Sequence, residues 1–229
     1  MGNLIGMTEQ QIVAMGGGGT SAAVLAEVFA LAGRDRARLL YVGTASAEDP
    51  RNALIMYERA RGQAEVTPLK FFPWPPAGLR ELALAQDVIF VGGGSTANML
   101  AIWRVHGFDR ILREAWEQGI VLSGSSAGMI CWFEASVTDS FGPQLAAMRD
   151  GLGFLPGSAC PHYDDEELRR PFYRDAVEGG FPAGYAADSG VGLHFVGTEL
   201  VEVLSPREGA TGYRVEPGVE TPLPARFVS

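Results

Sequence analysis

The run Gly119-Ile-Val-Leu122, followed by Ser123-Gly-Ser-Ser-Ala-Gly-Met129, decides the fold. The short apolar stretch has the length of a buried strand. It enters a turn of small residues, Gly124–Gly128, and then a helix-compatible segment, Met129–Glu134. A strand, a tight turn and a helix in that order put Ser126 at the tip of the turn, its hydroxyl lifted off the sheet edge. The spacing Gly124-x-Ser126-x-Gly128 is that of a nucleophile elbow, and N–H groups of the helix start point at the same place. Glycines on either side let strand and helix backbones approach without a Cβ clash.

Upstream, the same unit recurs. Gln11–Met15 reads as a strand ending in Gly16–Gly19, with a helix over Ala22–Ala32. Leu39–Val42 ends in Gly43–Ser46, with a helix over Asp49–Gly62 and a short strand at Glu65–Thr67. After helix Leu79–Ala85, strand Val88–Val91 ends in Gly92–Thr96, and helices Ala97–Val105 and Phe108–Glu117 lead to the strand before Ser126. Alternating strands and helices predict an α/β fold with a doubly wound, mostly parallel sheet. In such sheets ligands bind beyond the carboxyl ends of the strands, so four small-residue turns converge on one crevice. Past residue 135 the pattern loosens. A short helix is expected over Leu145–Asp150, a strand near the end of Leu152–Cys160, and antiparallel strands in Gly190–Leu204 and Gly212–Val215. Neither a linker nor a repeat interrupts residues 1–229, which read as one domain with a C-terminal antiparallel extension.

Composition narrows the function. Hydrophobic residues at 47% and charged residues at 20% are a globular balance. A net charge of -9 argues against nucleic acid as a partner, because a phosphate-binding face is basic. Without a long apolar run or a leader-like start, the chain reads as soluble and cytoplasmic, with no membrane contact. Cys131 and Cys160 lie among apolar or small neighbours and read as buried thiols. The Gly16–Gly19 loop lacks Gly-x-Gly-x-x-Gly spacing and no acid follows the second strand, so it reads as a turn beside a substrate, with no dinucleotide cofactor. Histidines and carboxylates at ligand spacing are missing, so no metal is expected.

Three histidines make the search for a base short. His106 closes a helix and reads as a capping or surface residue, and His194 lies inside a strand. His162 follows Ser158-Ala-Cys-Pro161 at a strand end and becomes the general base. Asp139, in the loop Val137–Ser140, is the chosen acid to orient it, with Glu134, Asp164 and Asp165 as alternatives. Asp164 and Asp165 stand so close behind His162 that reaching its Nδ1 looks awkward. Gly93, Gly94 and Ala127 are the candidate oxyanion donors.

Taken together, Ile12-Val-Ala-Met-Gly-Gly-Gly18, Phe90-Val-Gly-Gly-Gly-Ser-Thr96, Gly124-Ser-Ser-Ala-Gly128 and Pro161-His162-Tyr163 resemble the dipeptidase E family of serine peptidases, to which cyanophycinase is related. The resemblance implies a flavodoxin-like sheet akin to class I glutamine amidotransferase domains, with serine in place of their cysteine. It carries the nucleophile to Ser126 and the base to His162, and implies a short peptide substrate, including peptides with an N-terminal aspartate, and a homodimer. Arg169, Arg170 and Arg174 are candidates to hold such an aspartate, against the plainer reading of a solvated helix face. Alternatives are an esterase or amidase on a non-peptide substrate, and a binding protein that kept the fold without the catalysis.

Overall fold

A computed structural model describes residues 9–229. Strand β1 (Gln11–Met15) leads to helix α1 (Ala22–Leu31), whose first turn is capped by the Ser21 hydroxyl accepting from Val24 N–H. Strand β2 (Ala37–Val42) leads to α2 (Pro50–Arg59), capped by Asp49 and started by a proline whose missing N–H needs no partner there. Then come β3 (Ala64–Leu69), α3 (Leu79–Leu84), β4 (Val88–Val91), α4 (Thr96–His106), α5 (Phe108–Glu117) and β5 (Val121–Ser125). Gly107, at φ 71°, ends α4 and lets α5 start at once.

The second half is β-rich: α6 (Ala127–Ile130), β6 (Phe133–Thr138), β7 (Ala146–Met148), β8 (Leu155–Cys160), α7 (Arg169–Glu178), β9 (Gly184–Ala187), β10 (Gly192–Val196), β11 (Glu199–Ser205), β12 (Gly212–Glu216), β13 (Val219–Pro222) and β14 (Arg226–Phe227). Two expectations are corrected here. The helix after Ser126 is a single turn, and Glu134 stands on β6 with its Oε2 accepting from Gly157 N–H at 2.9 Å. Leu145–Asp150 contains a strand, β7, because Ala146–Met148 pairs antiparallel with β6.

One sheet has the order β14-β11-β10-β1-β5-β4-β2-β3. Its segment β1-β5-β4-β2-β3 is parallel throughout. Counting from β2, this is the flavodoxin order 2-1-3-4-5, with the fifth place taken by the N-terminal strand. The register sets Met15 opposite Ser125 and Val91 opposite Gly124, so β1, β4 and β5 end level and their loops emerge side by side. A second sheet, β13-β12-β9-β8-β6-β7, has β6, β8 and β9 parallel. A single apolar cluster joins Ile12 and Leu122 of the first sheet to Phe133, Leu155 and Ala159 of the second. No helix among the described residues is long and apolar enough to cross a membrane.

Candidate active site

Ser126 sits between β5 and α6 at φ 58° and ψ −109°, a backbone that L-residues avoid. Three hydrogen bonds hold it there. Its N–H donates to Met15 O at 3.0 Å, and its carbonyl accepts from Met129 and Ile130 N–H at 2.8 and 3.1 Å. The flanking glycines are dictated by contact: a Cβ on Gly128 would overlap the Val91 carbonyl, and one on Gly124 would overlap the Gly128 carbonyl.

His162 also has a left-handed backbone, φ 55°, at the end of β8, and its N–H donates to Gly16 O at 2.7 Å. Its ring lies where a Cβ on Gly17 would be, so the first glycine loop makes room for it. The ring lies between the strands' carboxyl ends, with Nε2 at 3.0 Å from Ser126 Oγ. On the other side, Nδ1 meets Ser189 Oγ at 3.3 Å, Asp165 Oδ1 at 3.4 Å and Glu166 Oε1 at 3.8 Å. Ser189 Oγ in turn donates to Asp165 Oδ2 at 2.6 Å, and its N–H donates to Asp164 Oδ1 at 2.7 Å.

The left-handed turn explains the acids. It reverses the chain after His162, and Glu166 N–H closes the turn on His162 O at 3.3 Å, so residues three and four positions on return to the ring. Asp139 is not brought to the imidazole. It lines the same crevice, but its carboxylate lies 3.7 Å from Arg169 Nη2. Arg169, 3% exposed, is shared with Glu166 and donates to Val137 O at 3.4 Å. Ser189 escapes a reading of the sequence, because nothing in Asp188-Ser189-Gly190 separates it from an ordinary turn.

Gly93 lies against the serine, since a Cβ on it would be 3.7 Å from Ser126 Oγ. Among the described residues, the N–H groups of Gly93, Gly94 and Ala127 have no acceptor in the protein. Two hollows of about 360 Å³ each meet at Ser126 and His162. One is walled by Gly17–Thr20, Tyr41 and Arg59, and contains no carboxylate. The other holds Asp139, Glu166 and Arg169. Burial, reinforced by Asp49, pushes the Tyr41 phenol up to about 12, so it stands in the first hollow as a neutral hydroxyl.

The remaining candidates lie elsewhere. His106 ends α4 with its ring 5.5 Å from that of Phe71. His194 on β10 meets Gln11 Oε1 at 3.0 Å. Both cysteines are free and buried, and burial pushes the Cys160 thiol up to about 12, which makes it inert as a nucleophile. Arg170 and Arg174 pair with Glu220 on β13, away from Ser126. Among the described residues no group of three or more His, Cys, Asp or Glu could hold a metal ion.

Comparison with known proteins identifies the family. The model of peptidase family S51 matches residues 12–203. A Bacillus subtilis (strain 168) protein, the uncharacterized peptidase YgaJ, is 42% identical over 231 residues, covering 96% of this chain and 99% of that one. The crystal structure of a peptidase from an acI-B1 Actinobacterium superposes with a TM-score of 0.70 at 17% identity, covering 98% of each chain. A putative peptidase E from Listeria monocytogenes EGD-e gives 0.63 at 16% identity, over 84% of this chain and 97% of that one. With the family model spanning most of the sequence and a near full-length relative above 40% identity, the chain belongs to peptidase family S51 and is a serine-type peptidase.

Proposed function

We propose that the crevice hydrolyses short peptides through Ser126 and His162. His162 Nε2 takes the Ser126 proton as Oγ attacks the peptide carbonyl, and then delivers that proton to the leaving amine. Water enters by the reverse sequence and releases the acyl group. The free N–H groups of Gly93 or Gly94 and of Ala127 face the carbonyl oxygen as it gains charge. Asp165, with Ser189 bridging it to the ring and Glu166 beside it, holds Nδ1–H and stabilises the imidazolium, the role first assigned to Asp139. The observation that carries the reading is the 3.0 Å contact between Ser126 Oγ and His162 Nε2 beside unpaired backbone donors.

A panel of peptides two to six residues long, with small esters alongside, tests it. Cleavage is expected to be fastest on the shortest peptides. Ser126→Ala is expected to lose about 10⁴-fold or more in kcat with an unchanged circular dichroism spectrum. Faster turnover of esters, or activity retained by the folded variant, defeats it.

A further inference from the structure

The hollow on the Gly17–Thr20 side of Ser126 contains a cation that the mechanism leaves unused. Arg59, in the last turn of α2, is half-buried and lines this hollow together with Ser126 and His162. Among the described residues it pairs with no carboxylate and donates no hydrogen bond, whereas Arg169, Arg170 and Arg174, the arginines singled out from the sequence, are each engaged by an acid. A net charge of -9 repels anions from most of this surface, so an unpaired guanidinium beside the nucleophile is a local exception. The C-terminus of α2 steadies the cation without consuming its hydrogen bonds.

The glycine loop sets the scale. Gly17 is pressed against the His162 ring, and a Cβ on Gly19 would be 3.7 Å from Arg59 Nη2. Two residues of chain span at most about 7 Å, so the glycines beside imidazole and guanidinium lie within that distance of each other. The amine and carboxylate of one amino acid are separated by two bonds, about 2.5 Å, and a hydrogen bond of about 2.8 Å at each end brings the span to a similar length. The opposite hollow holds Asp139 and Glu166 and suits the substrate's ammonium end.

Resting on the peptidase reading above, we propose that Arg59 holds the C-terminal carboxylate of the leaving residue. The enzyme then releases a single C-terminal amino acid, with His162 protonating its amine while the planar fork of Arg59 grips its carboxylate.

The test compares kcat/KM of wild type, Arg59→Gln and Arg59→Lys on Ala-Ala, Ala-Ala-amide, Asp-Ala and Asn-Ala. The preference for Ala-Ala over its amide is expected to fall by about 10- to 100-fold in Arg59→Gln and by less in Arg59→Lys, with the loss mostly in KM. A uniform loss on all four substrates, or no change in the acid-to-amide ratio, overturns the proposal. A fall confined to Asp-Ala over Asn-Ala overturns it too, by placing a side-chain carboxylate there instead. Calorimetry of Ala-Ala and its amide on Ser126→Ala, with and without Arg59→Gln, reads the same ratio without turnover. A protein that binds the acid selectively through Arg59 yet cleaves no dipeptide defeats the hydrolytic reading alone. Equal affinity for acid and amide, or binding of neither, defeats the Arg59 assignment.

Discussion

Ser126 is held in a conformation that costs about 1–3 kcal/mol, and the surrounding hydrogen bonds and glycines leave it no other. In the proposed mechanism that strain presents the Ser126 hydroxyl for reaction, and its place was legible in Gly124-x-Ser126-x-Gly128. His162 was also legible, as a lone histidine at a strand end. Its partners were not. Sequence spacing made Asp165 look too close to reach the ring, because that judgement assumed an ordinary backbone at His162. A positive φ at a non-glycine residue leaves little trace in composition, and it is what folds Asp165 back to 3.4 Å from Nδ1. Asp139 had the right loop but meets Arg169, a pairing set by the buried position of α7 against β6. Asp165→Asn is therefore expected to lower kcat by about 10- to 100-fold, less than in enzymes whose acid is fully buried, since this carboxylate is 46% exposed. Asp139→Asn should change kcat by less than about threefold. Steady-state kinetics of the two variants side by side decide between the acids, and a larger loss in Asp139→Asn would reinstate it.

At the scale of elements, the strand–helix alternation before Ser126 was readable because each strand is a short apolar run closed by glycine. β1, β4 and α5 fall on the expected residues, and the other boundaries shift by a few positions. The segment after Ser126 was misread as helix. Trp132 and Phe133 are fully buried and β6 pairs with both β7 and β8, so tertiary pairing outweighs a sequence compatible with continued helix. β10, inserted antiparallel beside β1, carries His194 into the sheet, where burial lowers its pKa below the ordinary 6.5 despite Glu202 and Glu9 nearby. Burial favours the neutral ring, so the unfolded chain binds the proton more readily than the folded one. The stabilising contribution is complete above pH 6.5 and is lost as pH falls through the lower folded value. Urea midpoints followed from pH 7.5 down to about 5 should fall for wild type more than for His194→Gln. Parallel profiles would show that His194 contributes nothing to the acid sensitivity of the sheet.

The whole molecule brings these pieces together by topology. Because the N-terminal strand occupies the fifth place of a flavodoxin-type order, its glycine loop stands beside Ser126 instead of at a distant edge. The second sheet delivers His162 from β8 to the same place, and the β9–β10 connection delivers Ser189. The alternation of strands and helices indicated an α/β chain and the strand ends indicated a crevice. The second sheet was only partly legible, because its short strands, such as Gly184–Ala187, are rich in small residues with no periodic signal. The proposed hydrolysis depends on Ser126 and His162 acting as one unit, and active-site labelling tests this most directly. A fluorophosphonate is offered to wild type, Ser126→Ala and His162→Ala, and the modified residue is located by mass spectrometry of the digested protein. One adduct per chain on Ser126, absent from Ser126→Ala and formed about 10³-fold more slowly or worse in folded His162→Ala, is the predicted result. An adduct on any other residue, or labelling of Ser126 at the same rate without the imidazole, would contradict it.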